Sequence, residues 1–410
     1  MPSSPFRRAG RAGATPLRTS RAKVAAGLAT AGLLATALGL PAAPPTKRPR
    51  ADDEPGARVK IEAAGEEGPR SLEGRVVVEA ADGSVLLELD DQRLELVEGS
   101  AIRSRDTAEA GADDDAREQG KRILAELPAG FDLLVTKHYV VCFDTSRSYA
   151  QWSAALFEKL HDAFLNYWKK AGVEIAAPRR PLVVVIFADR QRYEAFAARD
   201  LGAAADRVVG YYNLLTNRVT TFDLTGSDAL ARRPAGSASR AGVEILSSPE
   251  AAGLVSTLVH EASHQMAFNS GLHRRLAPVP VWVSEGVATF FETPDPGGRG
   301  WKGIGGVNRP RLEKFLAGYR PGVLDSIVTG DEPFRDADEG LDAYARAWAL
   351  TAFLAQTRKA ALADYLALVA AKAPLGPDDA DQRRRDFVEA FGVEPRELEE
   401  PLLKFLARWK

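Results

Sequence analysis

His260-Glu261-Ala262-Ser263-His264 places a carboxylate between two imidazoles set four residues apart. At 3.6 residues per turn the two histidines fall about 40° apart on one helix face, with Glu261 about 60° beyond the second. Two neutral imidazoles so placed can grip one divalent ion while the carboxylate stands beside it. The chemistry is hydrolytic: the ion acidifies a water, and a glutamate within reach takes the proton. With 5 histidines in 410 residues, the pattern arises by chance in roughly one in a few hundred such chains.

A catalytic zinc keeps three protein ligands and one open position. Glu285, within Trp282-Val283-Ser284-Glu285-Gly286-Val287-Ala288-Thr289-Phe290-Phe291-Glu292, is the candidate third ligand. The only later histidine, His273, sits in a loop beside Arg274 and Arg275. Thr289 and Glu292 lie on or near the Glu285 face and are candidates to hold a histidine N–H from behind. The expected site is therefore Zn²⁺ on His260, His264 and Glu285, with Glu261 as general base.

Helices must position these groups. Ser248 is a good N-cap and Pro249 suits the first helical position, while Gly271 follows Asn269-Ser270 as a stop. Leu254, Leu258, Ala262 and Met266 give an apolar stripe, and Gly253 and Thr257 continue the histidine face. After Pro278 and Pro280, Val281 to Phe291 reads as a short apolar helix. Gly286 should let it approach the HExxH helix closely.

An HExxH followed some twenty residues later by a helical glutamate resembles the gluzincins, the zinc metallopeptidase clan of thermolysin and aminopeptidase N. The Trp282–Glu292 run resembles the W-L-N-E-G-F-A-x-Y-x-E segment of the aminopeptidase-N type. Tyr344-Ala345-Arg346-Ala347-Trp348-Ala349-Leu350 resembles that group's Y-x-K-G-[FA]-A-L helix, and the resemblance gives Tyr344 the role of hydrogen-bond donor to the reaction oxyanion. The chain is also similar to uncharacterised gluzincin-like domains of exported bacterial proteins, a domain-of-unknown-function family. No G-x-M-E-N run, which holds the free amino terminus in aminopeptidases, precedes the HExxH. Endopeptidase action is therefore favoured over aminopeptidase action. The resemblance spans about residues 200 to 360.

It implies an α+β catalytic domain: a mixed sheet with an edge strand, the HExxH helix and a helical lower lobe. Leu182 to Phe187 reads as a buried strand, and Val208 to Tyr212 and Arg218 to Phe222 as a hairpin around Thr216-Asn217. By the resemblance, Arg218 to Phe222 is the edge that pairs with an extended peptide substrate. Upstream, short alternating runs at 75–78, 84–89 and 93–97 read as a small all-β module, either an SH3-like barrel or a meander. Domains are expected at 71–104 for this module and 121–410 for the catalytic unit, with a disordered linker at 41–70 and an acidic one at 105–120.

Arg7, Arg8, Arg11, Arg18, Arg21 and Lys23 precede an apolar run from Val24 to Leu40, with Ala35-Thr36-Ala37 as a cleavage site. Residues 1–40 read as a signal peptide or N-terminal anchor, so the protein is expected to be periplasmic or extracellular. Membrane contact is expected only where this segment stays uncleaved. A net charge of −2 without a basic stripe argues against nucleic acid. The single cysteine, Cys142, excludes an internal disulfide and reads as a core residue. Gly226 to Ser247 reads as a long polar loop, and Gly297 to Gly306 as a glycine-rich cleft wall without a phosphate-loop ending. The expected partner is a peptide or protein substrate. Two rival readings stay open: a non-catalytic, zinc-containing peptide- or wall-binding module, and a zinc hydrolase of a non-peptide bond.

Overall fold

In the stretch from Arg58, Val59, Ile61 and Ala63 alternate with charged or small outward residues, a period of two that buries one face. The computed structural model describes residues 56–65, 68–108, 115–226, 252–293 and 304–409. It opens with an antiparallel sheet of five strands: β1 Arg58–Gly65, β2 Gly68–Glu79, β3 Val85–Leu89, β4 Leu94–Val97 and β5 Ile102–Thr107, in the order β4-β3-β2-β1-β5. Val59, Ile61, Ala63, Val85, Leu87 and Val97 form its core.

The module is thus larger than 71–104. β1 falls inside the stretch read as a linker at 41–70, because the alternation of three small apolar residues is masked by the charges around it. Likewise β5 and the helix Ala116–Glu126 enter the stretch 105–120 from either side. The targeting segment, most of the loop from Gly226, the Ser248-Pro249 cap and most of the glycine-rich run lie outside the described residues.

A second sheet carries the larger domain: β6 Asp132–Val135, β7 Tyr139–Phe143, β8 Leu182–Phe187, β9 Gly210–Asn213 and β10 Arg218–Phe222, in the order β6-β7-β8-β10-β9. β7, β8 and β10 run parallel, and β6 and β9 are antiparallel on the flanks. Parallel neighbours need crossovers, and the helices Arg147–Lys170 and Arg190–Leu201 supply them. The long parallel strands are buried on both faces, as are Val140, Val141, Val183, Val184 and Val185. Cys142 is fully buried among them, as expected.

One expectation fails here. Arg218–Phe222 is not the edge strand; it sits between β8 and β9, its ladder used on both sides. The edge is β9, its hairpin partner. Both strands are fully buried, and which lies outside is decided by the distant pairing of β10 with β8.

The remaining chain is helical: the HExxH helix Ala252–Asn269, the Glu285 helix Val281–Phe291, Arg309–Gly318, Val323–Thr329, the Tyr344 helix Gly340–Thr357, Lys359–Ala371, Ala380–Phe391 and Glu399–Leu406. The HExxH helix ends where expected, with Gly271 in the left-handed region at φ 86. Leu258, Ala262 and Met266 are buried, but so are Val259, Ser263 and Gln265 on other faces. This helix is a central rod, enclosed by the sheet and by neighbouring helices, rather than an amphipathic surface helix. No described helix is long and apolar enough to cross a membrane.

Candidate metal centre

Within the HExxH helix His260, Glu261 and His264 are 1%, 1% and 6% exposed, and Glu285 from the following helix is 1% exposed. Three atoms converge. His260 Nε2 lies 3.1 Å from His264 Nε2, and Glu285 Oε2 lies 3.1 Å from the first and 3.5 Å from the second. Tetrahedral donors about 2.0–2.1 Å from one ion stand about 3.3 Å apart, so the triangle has the size of one face of a zinc tetrahedron.

The protonation logic agrees. His260 Nδ1 is 2.8 Å from Glu292 Oε1. A carboxylate only accepts, so Nδ1 carries the hydrogen and Nε2 of the neutral ring turns a lone pair inward. Glu285 Oε2 has no hydrogen-bond partner among the described residues. Lone pairs without shared protons repel, so this donor set fits a cation at its centre.

A proton competes for that place. Burial pushes the His260 imidazole down, but the Glu285 and Glu292 carboxylates beside it outweigh that and carry the group up to about 10. Burial likewise opposes ionisation of Glu285, yet the His264 and His260 charges hold it well below the usual carboxylate range. A divalent cation supplies the same compensation with more charge.

Glu261 is placed differently. The backbone N–H of Tyr212, on the edge strand β9, donates to Glu261 Oε2 at 2.8 Å. Oε1 is buried without a partner among the described residues. Burial, the leading influence, raises the Glu261 carboxyl above its ordinary value.

Behind His260, Glu292 is itself held. Asn308 Nδ2 donates to its Oε2 at 3.0 Å and Arg311 Nη2 to its Oε1 at 3.0 Å. Arg311 Cζ also stands 5.5 Å over the Tyr344 ring. The Tyr344 ring, fully buried, has its centroid 6.5 Å from that of His260. Glu292 fills the supporting role expected of it, whereas Thr289 does not. Its hydroxyl donates back to Glu285 O and Gly286 O of its own helix. Asn308 and Arg311 carried no local signal: an Asn-Arg-Pro-Arg run looks like an ordinary helix start, and Asn308 does cap that helix.

Gly286 corrects a second expectation. A Cβ there would clash with Thr351 Oγ1 and meet Ala347 O at 3.0 Å. The close approach it permits is to the Tyr344 helix rather than to the HExxH helix.

A further trio, His138, His161 and Asp162, also has potential ligand atoms within 4.8 Å of one another. The two rings are stacked, 3.7 Å apart at 16°. Their in-plane lone pairs therefore run side by side instead of converging, and His138 Nδ1 is committed to Glu158 at 2.6 Å. This trio is a packing cluster.

A family model described as a protein of unknown function (DUF1570) matches residues 254–376, the span that holds every group just described at the metal centre except Tyr212. No curated protein matches the chain.

Proposed function

We propose that this chain is an exported zinc-dependent metallopeptidase of gluzincin type, cleaving within peptide chains. The observation that carries the reading is the pairing of a tetrahedron-sized triangle of Nε2, Nε2 and Oε2 with a fixed glutamate beside it, one oxygen tied and the other without a partner. Zinc held by His260, His264 and Glu285 would supply a Lewis acid that acidifies water and polarises the scissile carbonyl.

The chain's own groups do the rest. Glu261 Oε1 takes the proton of the attacking water and passes it to the departing amine. Tyr212 N–H keeps the other oxygen still, so the base need not reorient. Glu292 holds the His260 tautomer, and Arg311 holds Glu292. Tyr344 donates to the oxygen that gains charge. An extended peptide would lie beside β9, the true edge.

Zinc analysis of wild type and Glu261→Gln, with cleavage of a mixed peptide library read by mass spectrometry, tests this. Both proteins should hold about one zinc, and the variant should cleave about 10²–10⁴-fold more slowly. A wild type that binds no metal refutes the site. A zinc-loaded wild type that cuts no peptide moves the chain to a binding module or to another hydrolysable bond.

A further inference from the structure

At the C-terminal end of the HExxH helix, on the seam with the β module, lies a cavity of about 410 Å³. No metal-centre residue lines it. Four arginines do: Arg75 from β2, Arg179 before β8, and Arg274 and Arg275 after the helix. Glu88 is the one carboxylate on its wall. It is shared by Arg275, at 2.5 Å, and Arg75, at 3.8 Å. Arg179 and Arg274 are exposed and pair with no carboxylate among the described residues. The cavity therefore carries an uncompensated positive charge.

Its other walls are apolar. Val76, Leu94 and Phe268 line it alongside the arginines. His273 also lines it, 1% exposed, with Nδ1 facing Leu272 O at 2.9 Å and Nε2 without a partner among the described residues. The Nδ1–H is committed to that carbonyl, so Nε2 is left as an acceptor. Volume, a domain seam, apolar walls and a few convergent polar groups are the attributes of a small-molecule site.

We infer that this seam cavity binds a small organic anion, with its apolar body against Phe268 and Leu94 and its carboxylate or phosphate ester among Arg75, Arg179 and Arg274. Guanidinium forks match both anion types, by paired N–H donors to two oxygens. Arg275, buried and held by Glu88 and by Gln92 O at 2.8 Å, fixes the seam rather than the ligand. The inference stands apart from the proposed peptidase activity.

The test uses the full chain. Benzoate, phenyl phosphate and neutral benzyl alcohol are titrated by ligand-observed NMR against wild type and Arg179→Glu/Arg274→Glu, at low and high salt. Saturable binding of at least one anion is expected, absent for the alcohol and weakened by salt. The double variant should bind about tenfold more weakly or worse, from lost charge-assisted contacts. Each single variant, melting like wild type, should show part of that loss. Tighter phenyl phosphate assigns a phosphate ester, tighter benzoate a carboxylate. No saturable anion binding by wild type, equal binding of the alcohol, or undiminished binding by the folded variants would overturn the inference.

Discussion

Tyr212 N donates to Glu261 Oε2 across 2.8 Å, joining the sheet's edge strand directly to the candidate base. The same tyrosine's hydroxyl donates to Asn217 Oδ1 at 2.7 Å. Asn217 and Asn269 exchange reciprocal amide bonds, each 2.7 Å, and Asn217 Nδ2 also donates to Gln92 Oε1 of the β module at 2.9 Å. The base, the hairpin, the HExxH helix and the module thus share one buried polar network.

Asn217 sits in that network with φ 58, a conformation asparagine tolerates and alanine does not. Asn217→Ala should lose about 2 kcal/mol or more, through orphaned partners and backbone strain. Asn217→Gly, which removes only the side chain's bonds, should be less damaging by about 0.5–1 kcal/mol. Urea melts of the two variants rank them, and the reverse order would refute the account.

Glu292→Gln should weaken zinc binding about 10–100-fold, because it removes the charge that orients His260 and neutralises Arg311. Thr289→Ala should leave the affinity unchanged, since its hydroxyl serves its own helix. Competition with a metal chelator reads both. Equal effects would place Thr289 in the support of the site after all.

Gly286→Ala should cost about 1–3 kcal/mol through overpacking against the Tyr344 helix. Adding Thr351→Ala removes the clash with Oγ1 but leaves Ala347 O at 3.0 Å, so recovery should be partial. Thermal melts of the three proteins decide it.

Zinc-free and zinc-loaded protein should respond to pH with opposite signs. His260 rises from 6.5 to about 10 on folding without metal. That stabilisation is fully present below pH 6.5 and is lost as pH climbs towards 10. The loaded protein instead loses zinc as pH falls and protons retake the ligands. Melting temperatures across that range, with and without chelator, would show the crossing; parallel curves would contradict it.

The sequence revealed what is local. HExxH is helical geometry compressed into five residues, and Glu285 and Glu292, the latter the C-cap of the Val281–Phe291 helix, lie on one face, so candidate ligands and their support could be read together. The edge assignment failed because β9 and β10 are both fully buried and the choice rests on the pairing of β10 with the distant β8. Arg311 escaped notice because nothing around it differs from an exposed helix start. Its value comes from Glu292, nineteen residues away.

Gln265 Nε2 donates to both Val183 O and Asn217 O, each at 2.9 Å, one residue past His264. The HExxH helix is therefore pinned to β8 and to the turn between β9 and β10, so His260, Glu261 and His264 form one half with the sheet. Glu285 and Tyr344 belong to helices interlocked at Gly286 and form the other. The gap between His264 Nε2 and Glu285 Oε2, 3.5 Å, is where these two halves meet, so a metal held by all three side chains would tie one half to the other.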